Sequence, residues 1–355
     1  MSTKQGVKLL KKIRLLEPTM PTRATGVFKG EASGFLNWND ILYEKFYDVY
    51  TQVLNNFWKP SQVSMVQDKK QWGELDKNIQ DKFLEILTML SGLDSLQTPT
   101  LIEILKFIKD PAVKAILANF AQQESIHNES YSYVNSSLIP LERQKELFKK
   151  IQSHPQVIKR NKPIVDAYQR FVDEPTPQHL FEALIHSTNL EGIYFYLAFA
   201  FYYNLGRQQL MTGTATMISY IHRDEMVHFD FIATLVQILM YEYPELNTEE
   251  NVQFIYDTIG KAVELEKEWS EEMLGDIEEK ADIDLDEFHD YIEYLANKRL
   301  RMFGLDNLYE DYKENPMPWI KTFDDESINL TKTDFFEQKS RTYAQVSTSN
   351  GFDEL

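Results

Sequence analysis

Four stretches of the chain repeat apolar residues at steps of three and four, and each breaks its own pattern with an ionisable group. Phe83, Leu87 and Leu90 are followed on the same face by Asp94. Leu117 and Phe120 lead to Glu124, His127 and Tyr131. Glu191 shares a step of four with Phe195 and Phe199. Ile218 and Ile221 lead to Glu225 and His228, then Ile232 and Leu235. The spacing predicts helices over 83–97, 113–134, 180–202 and 216–238, each with its apolar seam turned to a core. Acids and histidines occupy slots where that seam calls for a hydrophobe.

An unpaired buried carboxylate is very costly, so something must neutralise these groups. Ion pairs with Arg or Lys are the plain alternative; a metal is the simplest single answer. The order supports a metal, because a carboxylate helix precedes a Glu-x-x-His helix twice: Asp94 before Glu124 and His127, Glu191 before Glu225 and His228. Residues three apart share a helix face, so each Glu-x-x-His pair can hold one ion. This order resembles the ligand arrangement of ferritin-like di-iron and di-manganese bundles. Four carboxylates also balance two divalent ions in charge. Oxygen and nitrogen donors without sulfur suit iron or manganese in an open site, whereas a structural zinc favours a closed tetrahedral set with thiolates. The expected fold is all-α, a ferritin-like bundle with additional helices around a buried di-metal carboxylate site.

Pro and Gly clusters predict where helices break: Lys59-Pro60, Thr98-Pro99, Asp110-Pro111, Pro140, Pro155 to Pro163, Pro175 to Pro177, Gly206 to Gly213, and Pro244. Asp110 before Pro111 reads as an N-cap followed by the first helical residue. Asn247 with Glu250, and Asp284 with Glu287, read as reciprocal caps. Residues 1–36, with Pro18, Pro21, Gly26, Gly30 and Gly34, are expected to form an irregular arm. Residues 37–320 form one helical domain in this reading, since no linker separates two cores. Residues 321–355 turn polar and acidic and read as a flexible tail.

Composition narrows the function. Gly 13 and Pro 13 in 355 residues are few, which favours long helices over a turn-rich β fold. A net charge of -18 repels phosphate backbones and anionic membrane surfaces, so neither nucleic acid nor membrane is an expected partner. No apolar run reaches the roughly 18 residues of a membrane span, and the basic, amphipathic start lacks the features of a signal peptide. With Cys 0 there is no disulfide, zinc-thiolate site, iron–sulfur ligation or thiol nucleophile on this chain. A reducing, cytoplasmic setting fits, and any thiol chemistry belongs to a partner.

Taken together, these residues resemble the small, radical-generating subunit of class I ribonucleotide reductase. The resemblance runs from about Asn37 to Tyr343. It rests on LDSLQ around Asp94, ESIHNESY from Glu124 to Tyr131, LEGIYFYLAF around Glu191, RDEMVH from Arg223 to His228, NFWKP around Trp58 and NPMPWI at 315–320. It implies that two metal ions, iron or manganese, activate oxygen or a reduced oxygen species and oxidise Tyr131 to a stable radical. It implies a relay through His127, Asp224 and Trp58 to the surface, with Tyr343 bridging to the large subunit, where cysteines reduce ribonucleotides. The terminal GFDEL would be the docking peptide, Phe120, Phe195 and Phe199 would wall off the radical, and the subunit would be a homodimer.

Residues 37–39 and the stretch before Tyr343 look like the class Ib form, which can use di-manganese with a flavodoxin-like activator. NPMPWI and the length look like class Ia. Asn128 and Glu129 stand where small or basic residues are expected beside the ligands. Two other functions compete. A di-metal oxidase or hydroxylase needs a substrate channel and no radical tyrosine, and a metal store needs no tyrosine-bearing tail. His154, His179, His186, His222 and His289 fit no ligand spacing.

Overall fold

The computed structural model describes residues 10–12 and 16–321. Tyr343 and the rest of the predicted tail beyond Lys321 lie outside the described residues. Among those residues there is no strand. Twelve α-helices follow in order: α1 (Lys45–Asn55), α2 (Val66–Trp72), α3 (Lys77–Leu105), α4 (Pro111–Leu138), α5 (Leu141–Gln152), α6 (Pro155–Asp173), α7 (Pro177–Asn189), α8 (Tyr196–Arg207), α9 (Thr212–Glu242), α10 (Glu249–Leu274), α11 (Glu278–Ala281) and α12 (Leu285–Met302). A single π-helical turn, Leu190–Tyr194, joins α7 directly to α8.

The centre is built from α3, α4, the α7–α8 unit and α9. The most extensive packing is α3 on α4, and α9 packs on α7, α8 and α4. Around them, α1 covers α4 and α9, α5 lies on α3, and α6, α10 and α12 close the side of the π turn. Every residue of α8 from Tyr196 to Leu205 is buried, as expected of a helix that is hydrophobic all round.

Most predicted breaks fall between helices. Two do not. Pro99 sits inside α3 and Pro163 inside α6. Proline costs a helix interior about 3 kcal/mol, yet tertiary burial of the flanking residues outweighs it. Around Pro99 the hydroxyls of Thr98 and Thr100 also bond back to the carbonyls of Asp94 and Leu96. Asp110 caps as expected, accepting from the N–H of Ala112 and Val113, and one half of the expected reciprocal cap forms at Asp284, which accepts from the N–H of Glu287. The third is shifted by one residue. Thr248, not Asn247, caps α10, by accepting from the N–H of Asn251. The 180–202 stretch is not one continuous α-helix, because the π turn interrupts it.

Two buried or half-buried acids lock α9, the longest helix, at its ends. Asp68 of α2 accepts from the N–H of Gly213 (2.9 Å) and Thr214 (2.8 Å) and from the Thr214 hydroxyl (2.7 Å). Gly213 is required there, since a Cβ would come within 2.7 Å of the Ser64 carbonyl oxygen. At the other end Glu242 accepts three backbone N–H groups of the arm, from Val27, Phe28 and Lys29, each at 2.7 Å. Removing the Asp68 carboxylate strands three buried donors at a helix start. Asp68→Ala is expected to cost about 2–3 kcal/mol, read as a lower thermal midpoint in calorimetry; an unchanged midpoint contradicts this account of α9.

Candidate metal centre

Asp94 projects from α3, Glu124 and His127 from α4, Glu191 from the π turn, and Glu225 and His228 from α9. All six are fully buried. Their donor atoms form two groups, Asp94–Glu124–His127–Glu225 and Glu124–Glu191–Glu225–His228, each with all its atoms within 4.8 Å of one another. Glu124 and Glu225 belong to both groups, so they can bridge two ions. The six residues whose seam positions conflicted with burial thus meet at one place.

The donor set fits a pair of metal ions. Oε2 of Glu124 and Oε2 of Glu191 have no hydrogen-bond partner, a histidine Nδ1 lying 3.8 Å from each. The Nδ1 atoms of both histidines point into the carboxylates. His127 Nδ1 lies 3.0 Å from Glu225 Oε1, and His228 Nδ1 lies 2.9 Å from Glu225 Oε2 and 3.0 Å from Glu124 Oε1. Ionised carboxylates left unpaired at full burial would each cost several kcal/mol, against a total stability of about 5–15 kcal/mol. No lysine or arginine reaches them among the described ion pairs. The cluster fits a di-metal site of iron or manganese.

Without metal, protons take over the neutralisation. Burial, then the charge of Glu124, holds the Asp94 carboxyl well above the usual carboxylate range. Burial, Glu225 and Glu124 do the same to Glu191. At His127 burial opposes the imidazolium, but the charge of Glu225 and the neighbouring carboxylates of Asp224 and Glu124 override it and raise the pKa. His228 rises in the same way, through Glu225, Glu124 and Glu191. Glu225 goes the other way: burial pushes it up, and the two histidines together pull it below its ordinary value.

The second nitrogens of the histidines are held from outside the cluster. His228 Nε2 meets Gln123 Oε1 at 3.0 Å, and Phe120 lies against its ring at 4.2 Å. His127 Nε2 lies 3.3 Å from Asp224 Oδ2, the oxygen that also accepts from Trp58 Nε1 at 2.9 Å. Trp58, Asp224 and His127 therefore form one hydrogen-bonded line, and the indole and imidazole planes lie 26° apart. Tyr131, one turn beyond His127, is buried beside the Asp94 carboxylate. Burial and the charge of Asp94 hold its phenol well above the ordinary tyrosine value. Phe195 and Phe199 stack on one another at 5.6 Å, and Phe199 packs towards His222.

Several contributors gave no periodic signal. Tyr168 of α6 donates to Gln97 Oε1 at 2.6 Å, and Gln97 Nε2 donates to Ser187 Oγ at 2.7 Å and to Glu191 Oε1 at 2.5 Å. Gln97 lies three residues after Asp94, a spacing that could have flagged it. Gln123 and Tyr168 are ordinary buried polar residues until the tertiary fold gives them a partner.

Residues 35–316 match the family described as ribonucleotide reductase, small chain. The chain belongs to that family. It is 42% identical over 347 residues to a ribonucleoside-diphosphate reductase subunit beta of Halalkalibacterium halodurans, covering 98% of this chain and 99% of that one. Among solved structures it is similar to the ribonucleotide reductase R2 subunit from Clostridium botulinum, with TM-score 0.85, 31% identity, and 89% and 99% of the two chains covered. It also resembles the dimanganese(II)-NrdF of Streptococcus sanguinis, with TM-score 0.72, 26% identity, and 81% and 98% covered. Membership of the small-chain family accounts for the all-helical fold and for the di-metal donor set together.

A pH dependence follows. Asp94, Glu191, His127 and His228 bind protons more tightly folded than unfolded, so they contribute stability that is lost as pH rises. For the histidines the loss begins above the ordinary imidazole value of 6.5. Glu225 has the opposite sign, but its contribution is complete above its ordinary value of 4.5. The metal-free small chain is expected to lose thermal stability as pH rises above 6.5, and the manganese-loaded protein is expected not to. Calorimetry on both forms checks this; a metal-free midpoint that climbs over that range contradicts it.

Proposed function

We propose that Asp94, Glu124, His127, Glu191, Glu225 and His228 bind the two metal ions, and that Tyr131 carries the radical of a ribonucleotide reductase small chain. The observation that carries this reading is the convergence of six fully buried donors with a buried tyrosine beside Asp94. When bound, the metal pair supplies the oxidising power, drawn from oxygen or a reduced oxygen species, that removes one electron from Tyr131.

The residues of the chain do the rest. Burial and Asp94 keep the Tyr131 phenol protonated, so its oxidation releases the proton along with the electron. Full burial keeps bulk water and reductants from the resulting neutral radical. For the radical to act elsewhere, an electron must enter and reduce Tyr131 again. Trp58, Asp224 and His127 are the hydrogen-bonded route by which it enters, and Asp224 orients both ring partners. Tyr343 extends the route across the subunit boundary.

A ribonucleotide reductase small chain works with a large subunit, which must supply the thiols that this chain lacks. We assign the docking to the tail, residues 321–355, ending in Gly351 to Leu355. The small chain acts as a homodimer in the cytoplasm. A flavodoxin-like protein activates it if manganese is the native metal. Among the described residues no helix is long and apolar enough to cross a membrane.

Loading the protein with iron in air, and separately with manganese plus such an activator, should give a tyrosyl EPR signal that Tyr131→Phe lacks. Two bound metals with no radical under either regime would sink the reading. Trp58→Phe removes the Nε1 donor to Asp224. It should keep the Tyr131 signal and lose nucleotide reduction by at least about 100-fold when the large subunit is added. Deleting residues 336–355 should abolish large-subunit binding in sedimentation while metal uptake stays intact.

A further inference from the structure

The two halves of the metal cluster are not built alike. Three of the four elements that carry donors are regular α-helices. The fourth, carrying Glu191, is the π turn. A π turn inserts one residue into a helix and costs some of the backbone carbonyls their ordinary partners. In an apolar core those carbonyls need other donors.

Buried guanidinium groups donate to two carbonyls of this turn. Arg299 of α12 donates its Nε–H to the Gly192 carbonyl at 3.1 Å. Arg160 of α6 donates through Nη2 to the Tyr194 carbonyl and through Nε to the carboxylate of Glu266 on α10. Arg160 and Glu266 are both fully buried, and the guanidinium lies 5.0 Å from the Tyr194 ring and 5.1 Å from the Trp269 ring. Arg299 lies 4.4 Å over Phe229 and 5.0 Å over Tyr196. Gly192, next after Glu191, is pressed on Phe229, next after His228; a Cβ there would come within 2.7 Å of the ring.

A buried ion pair is a poor way to gain stability, since apolar side chains of the same volume serve as well or better. What Arg160 and Arg299 give that apolar residues cannot is directed N–H groups at two carbonyls of this turn. If the turn relaxed to α-helical register, the residues on one side would rotate by about 100°, and Glu191 would leave the cluster. We propose that Arg160, held by Glu266, and Arg299 are positioning residues that lock the π turn and thereby set Glu191 as a ligand. The half of the site formed by Glu124, Glu191, Glu225 and His228 depends on this clamp. The half formed by Asp94, Glu124, His127 and Glu225 draws nothing from the turn. The inference rests on the metal reading of the cluster.

The test is anaerobic titration of the full chain with manganese(II), followed by EPR, which separates the exchange-coupled pair from a lone ion, and by calorimetric affinities. In Arg160→Met combined with Glu266→Gln, which leaves no unpaired buried charge, the second ion should bind about 10-fold or more weakly while the first is unchanged. Lone-ion spectra should then appear at metal levels that give the pair in the unaltered chain. Arg299→Lys, tested separately, should shift the same ion in the same direction. If the double variant does not fold, Arg299→Lys alone decides. Pairing at unaltered affinity in the variants, or equal weakening of both ions, overturns the proposal. An unaltered chain that holds no manganese pair defeats the metal reading itself, which is a different result.

Discussion

Packing four carboxylates and two imidazoles into a dry helical core is the constraint from which the rest of the structure follows. Each unpaired charge would cost several kcal/mol, so six such groups can stay together only if their charges cancel. Two divalent ions cancel the carboxylates, and in their absence raised proton affinities at Asp94, Glu191, His127 and His228 do part of the same job. The long central helices serve this arrangement. They satisfy their own backbone polar groups and leave only side chains to be neutralised. Caps such as Asp68 and Asp110 settle the helix ends away from the cluster.

Around the donors lies a layer of residues that touch no metal position but fix those that do. Asp224 and Gln123 hold the outer nitrogens of His127 and His228, and Gln97 holds one oxygen of Glu191. A ligand whose far side is hydrogen-bonded is restricted in orientation and tuned in basicity. The layer is uneven. On the side of Asp94 it is regular helix, and on the side of Glu191 it is an irregular turn held by arginines from two outer helices. The outer helices α6, α10 and α12 therefore bear on the chemistry of the centre as well as covering it.

The same hydrogen-bond logic connects the centre to its surroundings. The Asp224 carboxylate that restrains His127 also receives the Trp58 indole, so one side chain both orients His127 and extends the network outward. That economy suits a subunit that makes an oxidant in one place for use in another.

The helical class, the six donors and their two Glu-x-x-His pairs were legible in the sequence, because helix faces repeat every 3.6 residues and a buried acid breaks that repeat visibly. The caps at Asp110 and Asp284 were legible for a similar reason, being local chemistry between residues two or three apart. Other features depend on residues far apart in the chain. Pro99 and Pro163 read as helix ends, yet burial of their flanks keeps α3 and α6 continuous. The π turn at Glu191 leaves no periodic mark, because the arginines that stabilise it come from positions 160 and 299. Gln123 and Tyr168 gained meaning only once α3, α4, α6 and α9 brought them to their partners. Local spacing fixed which residues carry the charge; long-range packing decided how each of them is held.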